Sequence, residues 1–347
     1  MTNSVATFIA TACTIAAVVT ISSLGACRLN SIRGGSAGST TVQHLRVARE
    51  QRSYRLHLPA RFDTSHSSPL VIVLHGHGES AENFEKYTGM SEKADAEGFI
   101  AVYPQALGDP SDWHTAVDGS GKRDDIAFVR AIIEVLSRKY HIDSRRIYAA
   151  GHSNGGFMTY RLASTLSDRI AAIGVTAGSI GMIDERGDTL RIAPPVYPVA
   201  VIHFHGLADP SVPYGGGAES DGPDNIVSVP NTIRFWVTAD HCPSAPSSRS
   251  VSENRNVITE RYEPCAAGTA VVLCTIVDGT HRWPGDEVPW WTFPGREVSD
   301  VDATDRMWDF FAAHPKRSPA ATAAAVHTLQ SPAPAAPPLR MDLPKQQ

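Results

Sequence analysis

Six short apolar runs, each bounded by Gly, Pro or Asp, constrain the fold of this chain more than any other feature: residues 70–74, 99–103, 146–150, 172–176, 199–204 and 271–277. Runs this short with no polar alternation read as strands buried on both faces, the pattern of a parallel sheet. Helical patterns lie between them. Asp124 and Asp125 stand where they can cap a helix in which Ile126, Val129, Ile133, Leu136 and Tyr140 recur at steps of three and four. The alternation predicts an α/β fold with a mostly parallel central sheet and helices on both faces. Reactive residues of such sheets sit in loops beyond the strand C-termini, so the chemistry is sought there.

The 347 residues, 42% apolar and 19% charged, suffice for a large core and exclude a small stapled scaffold or a wholly disordered chain. A net charge of −5, from 31 Lys and Arg against 36 Asp and Glu, leaves no polybasic footprint, so no nucleic-acid partner is expected. No Lys, Arg, Asp or Glu occurs from Met1 to Ala26, and residues 1–27 read as an export segment. Its end, Leu24-Gly25-Ala26-Cys27, resembles a lipoprotein box with Cys27 as the lipidated residue; simple cleavage and a retained anchor are the alternatives. Membrane contact is expected only through that lipid or segment. Residues 28–41 read as a flexible Gly/Ser tether and 42–313 as one catalytic-sized domain. Residues 314–347, with seven prolines interleaved with alanines, read as a disordered tail.

Directly after the run ending at Ala150 comes Gly151-His152-Ser153-Asn154-Gly155-Gly156, then a helical pattern through Met158, Tyr160 and Leu162. This is G-x-S-x-G between strand and helix, a sharp turn that needs small neighbours and lifts the serine hydroxyl outward. Ser153 is the candidate nucleophile. A serine needs a base held by an acid, and in this arrangement they follow in the order Ser, Asp or Glu, His. Asp209, in the loop after residues 199–204, is the candidate acid, with Asp278, Asp221 and Asp224 as alternatives. His281, in the loop after residues 271–277, is the candidate base. An oxyanion hole takes one backbone N–H from Asn154 and one from a glycine-rich loop after an earlier strand, where His75-Gly76-His77-Gly78 offers the amide of His77.

His75-x-His77 and His203-x-His205 have the spacing of paired metal ligands, but no carboxylate or cysteine is spaced to complete a site. No metal and no cofactor are expected, and His75 and His205 are expected beneath the site loops. Trp113, Tyr214, Trp283, Trp290 and Trp291 are candidates to stack on an aromatic acyl group or sugar, with core packing as the competing expectation. Cys242 and Cys265 lie in polar, turn-like surroundings and Cys274 in an apolar run, which favours pairing the first two; spacing leaves a bridge to Cys274 open.

With these residues in place, the chain from about Arg46 to Phe311 resembles the esterase family of extracellular polyhydroxybutyrate depolymerases and feruloyl esterases, including exported mycobacterial-type esterase lipoproteins. The marks are Leu74-His75-Gly76, residues 98–104, Asp124-Asp125, Ser153-Asn154-Gly155-Gly156, Trp236 ahead of Cys242, and His281 with Trp283-Pro284-Gly285. The resemblance implies an α/β-hydrolase fold, a Ser153-Asp209-His281 triad and a Cys242–Cys265 disulfide. His77, Thr280 and Arg282 depart from the family pattern, and Arg282 beside the base bears on which acyl group is accepted. Only about twenty residues separate Ala177 from Pro198, so no large lid is expected and the cleft suits polymer-borne esters. The function expected is hydrolysis of hydroxycinnamoyl or polyhydroxyalkanoate-type esters; a serine peptidase and a non-catalytic surface-binding protein are the alternatives.

Overall fold

The computed structural model describes residues 37–115, 124–183, 189–218, 225–285 and 301–317. The export segment with Cys27, most of the tether, Asp221, Asp224, Trp290, Trp291 and the tail beyond residue 317 lie outside the described residues.

Ten strands form the central sheet: β1 (Ser39–Val47), β2 (Glu50–Leu58), β3 (Ser68–Leu74), β4 (Ile100–Pro104), β5 (Ile142–His152), β6 (Ala172–Thr176), β7 (Ala200–Gly206), β8 (Ser248–Val251), β9 (Val257–Tyr262) and β10 (Val271–Ile276). Their order across the sheet is β1-β2-β4-β3-β5-β6-β7-β10-β9-β8. From β4 to β10 every pairing is parallel. The outer pairings at both edges are antiparallel. The six apolar runs are the six parallel strands, and β3, β4, β6, β7 and β10 are buried at every residue.

Alternate residues of one strand serve opposite layers. Leu70, Ile72 and Leu74 of β3 share a core with α3 (Asp125–Lys139), α4 (Asn154–Thr165) and α5 (Val229–Ala239), through Phe128, Met158 and Trp236 among others. Val71 and Val73 share the other core with α1 (Ala81–Thr88), α2 (Met90–Glu97) and α6 (Ala303–Ala313), through Phe84, Met90 and Phe311. The sheet is thus covered on both sides, and all its parallel strands point their C-terminal ends to one pole.

Only Asp124 caps α3, accepting the Ala127 N–H at 2.8 Å. Asp125 is buried instead and takes the Arg52 guanidinium at 2.6 Å, with both side chains 1% exposed. Its second oxygen accepts the His114 N–H at 2.9 Å, and Arg52 lies over the Phe128 ring. Removing one member of a buried pair strands the other charge and costs about 3–5 kcal/mol. Asp125→Ala is therefore expected to lower the melting temperature by on the order of 10 °C, measured by calorimetry; an unchanged melting point would show that the pair contributes nothing net.

Two expected boundaries move outward. Ser39, Thr40 and Thr41 belong to β1 rather than to a tether, because β1 pairs with β2 along its whole length and the Gly38 N–H donates to the Asp95 carboxylate. At the other end Lys316 donates its N–H to the Arg145 carbonyl and its ammonium to the Ser167 carbonyl, so residues 314–317 are tied to the domain rather than part of a tail. Cys242 and Cys265 form a disulfide, and Cys274 is a buried free thiol. Burial pushes the Cys274 thiol up to about 11, which keeps it protonated and unreactive.

Candidate active site

β5 ends at His152 and α4 begins at Asn154, so Ser153 makes the whole turn, with φ 53° and ψ −124°. This is a strained conformation for a side-chain-bearing residue. It is held by the Ser153 N–H on the Thr176 carbonyl at 3.0 Å and by the Gly156 and Phe157 N–H groups on the Ser153 carbonyl. The flanking glycines are a packing requirement. A Cβ on Gly151 would run into the Gly155 backbone and the Thr159 hydroxyl, and one on Gly155 into the carbonyls of Leu74 and His75.

The loops after β7 and β10 bring two residues to this turn. His281 Nε2 lies 2.9 Å from Ser153 Oγ, and His281 Nδ1 lies 2.9 Å from Asp209 Oδ2. Asp209 is 5% exposed, and its other oxygen accepts the N–H groups of Ser211 and Val212, each at 2.9 Å. Burial pulls the Asp209 carboxyl upward, but the hydrogen bond and charge of His281, the field of the His205 N–H and the Val212 N–H outweigh it, and the group ends below the usual carboxylate range.

Behind Asp209 runs a hydrogen-bonded chain whose direction is forced. His205 Nε2 faces the Val212 carbonyl at 2.8 Å and Asp209 Oδ2 at 3.4 Å, both acceptors, so this nitrogen carries the proton. His205 Nδ1 must then accept from His203 Nε2 at 3.0 Å, and His203 Nδ1 must accept from the Tyr160 hydroxyl at 2.8 Å. Burial pushes both imidazoles below their ordinary value, so they stay neutral, and every donor in the chain points toward Asp209. His152, also kept neutral by burial, packs its ring 4.8 Å from that of His281 and engages the Thr176 hydroxyl.

The loop after β3 abuts the same turn: a Cβ on Gly76 would stand 3.5 Å from Ser153 Cβ. His75 accepts the Ala106 N–H at 3.1 Å through Nε2 and donates through Nδ1 to the Gly76 carbonyl at 2.7 Å, fixing the loop's base. The Asn154 side chain exchanges hydrogen bonds with the Trp113 backbone. The backbone N–H groups of Asn154 and His77 make no hydrogen bond to another described residue. The His77 side chain is exposed and meets Asp112 at 3.2 Å.

Two expected substrate contacts are corrected. Trp113 is fully buried with its indole N–H on the His75 carbonyl, and Trp283 is 1% exposed with its indole N–H on Thr304 Oγ1. Both are core residues that shape the site loops from below, as large aromatics commonly are. Tyr214 is half-buried, edge-on to His205, with its hydroxyl on Thr275 Oγ1. Arg282 is buried rather than presented to the cleft. His75 and His205 lie beneath the loops, with their ring nitrogens committed to protein groups. No motif marks Glu79, and the supporting positions of His152, Tyr160 and His203 exist only in the folded chain.

Residues 52–202 match the model of the family described as Esterase PHB depolymerase. Putative esterase NocK of Nocardia uniformis subsp. tsuyamanensis is 30% identical over 288 residues, 78% of this chain and 79% of that protein. Feruloyl esterase B of Piromyces equi is 29% identical over 240 residues, 68% of this chain and 43% of that enzyme, so the chain spans less than half of its length. Acetyl xylan esterase from Aspergillus awamori has a TM-score of 0.56 at 13% identity, over 79% of this chain and 99% of that one, a likeness of fold alone. The doubly covered parallel sheet with its serine turn inside the matched segment, and a relative alike over most of both chains, assign this chain to the Esterase PHB depolymerase family of carboxylic-ester hydrolases, on the α/β-hydrolase fold.

Proposed function

We propose that the chain is an exported serine esterase that works through an acyl-enzyme, with Ser153 as nucleophile, His281 as base and Asp209 as the acid that orients it. The observation that carries this reading is the unbroken hydrogen-bonded line Ser153 Oγ–His281–Asp209 at 2.9 Å per step. Ser153 Oγ attacks the ester carbonyl carbon as His281 Nε2 takes its proton. The carbonyl oxygen becomes an oxyanion, and the N–H groups of Asn154 and His77 receive it. Collapse expels the alcohol, which takes the proton from His281. Water then attacks the acyl-enzyme by the same route, giving the carboxylic acid and free Ser153. Asp209, kept ionised, holds the proton on Nδ1 of His281 and stabilises the imidazolium as it forms.

For substrate we favour hydroxycinnamoyl or polyhydroxyalkanoate-type esters, as the family description and the feruloyl esterase relatives suggest. Export, with Cys27 as a lipid site, rests on the uncharged apolar run ahead of Leu24-Gly25-Ala26-Cys27. A fluorophosphonate probe followed by peptide mass mapping tests the nucleophile, with a single adduct expected on Ser153. Labelling elsewhere, or none in a folded protein, rejects the reading. Turnover of methyl ferulate against hydroxybutyrate oligomers decides between the two acyl classes.

A further inference from the structure

The mechanism above employs one carboxylate, yet a second lies near the same nucleophile. Glu79 lies in the loop after β3, half-buried, and its Oε2 accepts the Gly76 N–H at 2.9 Å. Its own N–H returns to the Gly76 carbonyl at 3.4 Å, so side chain and backbone together close a ring on the segment that carries the His77 N–H. Ser111 clamps the ring from outside, its hydroxyl donating to the Glu79 carbonyl at 2.6 Å and its carbonyl accepting the Gly78 N–H at 2.8 Å. The open side of Gly76 locates the charge. A Cβ there would stand 3.4 Å from Glu79 Oε2 and 3.5 Å from Ser153 Cβ, which puts the carboxylate oxygen within about 7 Å of the serine side chain. His281 is near enough to act on it electrostatically. Among the described residues no Lys or Arg forms an ion pair with it, although Arg55 pairs with Glu82 and Glu85 on the adjoining helix α1.

An amide oxygen also accepts the Gly76 N–H, more weakly than a carboxylate but in the same place, so the ring can close without the negative charge. The charge has a separate consequence. Resting on the reading of Ser153 as nucleophile, we propose that Glu79 sets the charge selectivity of the cleft, turning away anionic groups so that the substrates are esters with a neutral or hydroxyl-bearing acyl end. The same charge acts on the product. When water cleaves the acyl-enzyme, the released acid gives up its proton and becomes a carboxylate beside Glu79. Two unit charges about 7 Å apart at an effective dielectric near 20 repel strongly enough to weaken binding more than ten-fold, before exposure and salt reduce the effect.

Two variants separate charge from hydrogen bond: Glu79→Gln keeps the acceptor and Glu79→Ala removes it. The probes are 4-nitrophenyl hexanoate and the mono-4-nitrophenyl ester of adipic acid, which has the same chain length but ends in a carboxylate too far along the chain to cleave its own ester readily. The assay runs on the full chain as a pH series extending to mildly alkaline pH, because burial raises the Glu79 carboxyl and the charge effect is expected to grow as pH rises. In Glu79→Gln the ratio of kcat/KM for the anionic ester to that for the neutral one is expected to rise about ten-fold, inhibition by hexanoate to tighten by a similar factor, and both changes to shrink in high salt. In Glu79→Ala the same charge effects are expected together with a lower kcat on both esters, because the oxyanion loop loses its internal tie. A Glu79→Gln enzyme that turns over both esters with the parent's ratio and the parent's hexanoate inhibition overturns the proposal alone. A parent enzyme that turns over neither ester overturns the Ser153 reading, and the proposal with it.

Discussion

A Ser153→Ala enzyme is expected to keep its fold and to lose about four or more orders of magnitude of kcat toward an activated ester, with KM little changed. The fold survives because every hydrogen bond that shapes the turn comes from the Ser153 backbone: its N–H on Thr176 and its carbonyl under Gly156 and Phe157. The hydroxyl serves only His281, whose side chain is 20% exposed and can turn to water when Oγ is gone. Activity falls so far because imidazole cannot deliver its effect without an atom to deprotonate. The donors on Asn154 and His77 would still polarise a bound ester, and that sets the residual rate. Stopped assays with 4-nitrophenyl butyrate, beside a melting curve matching the parent's, check both halves. A folded Ser153→Ala protein with undiminished turnover would remove the nucleophile from the mechanism.

The parallel core was legible because its strands are apolar at every position, a signal that survives without knowledge of partners. β2 escaped for the opposite reason. Its inward-facing residues begin with Arg52, whose charge is neutralised by Asp125 from a segment far along the chain, so a core residue reads as a surface one. The candidate site residues were legible through order and position alone: a serine between strand and helix, a carboxylate and a histidine each just past a buried strand. What supports them was not. The histidines at 203 and 205 have an even spacing that suggests paired ligands, and only the fold shows that the Val212 carbonyl and Asp209 fix their tautomers while Tyr160 reaches across from α4 to end the chain. Trp113 and Trp283 misled because an indole beside a motif suggests stacking, whereas here indole and site loop share one core. Glu79 belongs to no motif, and its position against Gly76 exists only once the loop is folded.

Asp209→Asn is expected to cost about four orders of magnitude in kcat although it changes the side chain's shape hardly at all. The surroundings dictate how the amide must lie. The Oδ1 site faces two backbone N–H donors, from Ser211 and Val212, so the amide oxygen is held there. The amide nitrogen is left at the Oδ2 site, 2.9 Å from His281 Nδ1. As a donor it demands that Nδ1 accept, which drives the imidazole proton to Nε2. Nε2 then points a hydrogen at Ser153 Oγ and can no longer take one from it. On its other side the amide nitrogen meets His205 Nε2–H, a donor facing a donor, and the Tyr160–His203–His205 chain has no alternative direction to adopt without leaving the Val212 carbonyl unpaired. The variant should therefore lose rate and also some stability, in contrast to Ser153→Ala. In proton NMR the low-field Nδ1–H resonance of His281 should vanish while the protein remains folded. Retention of that resonance together with parental kcat would mean that Asp209 orients nothing, and that the acid of the mechanism lies elsewhere.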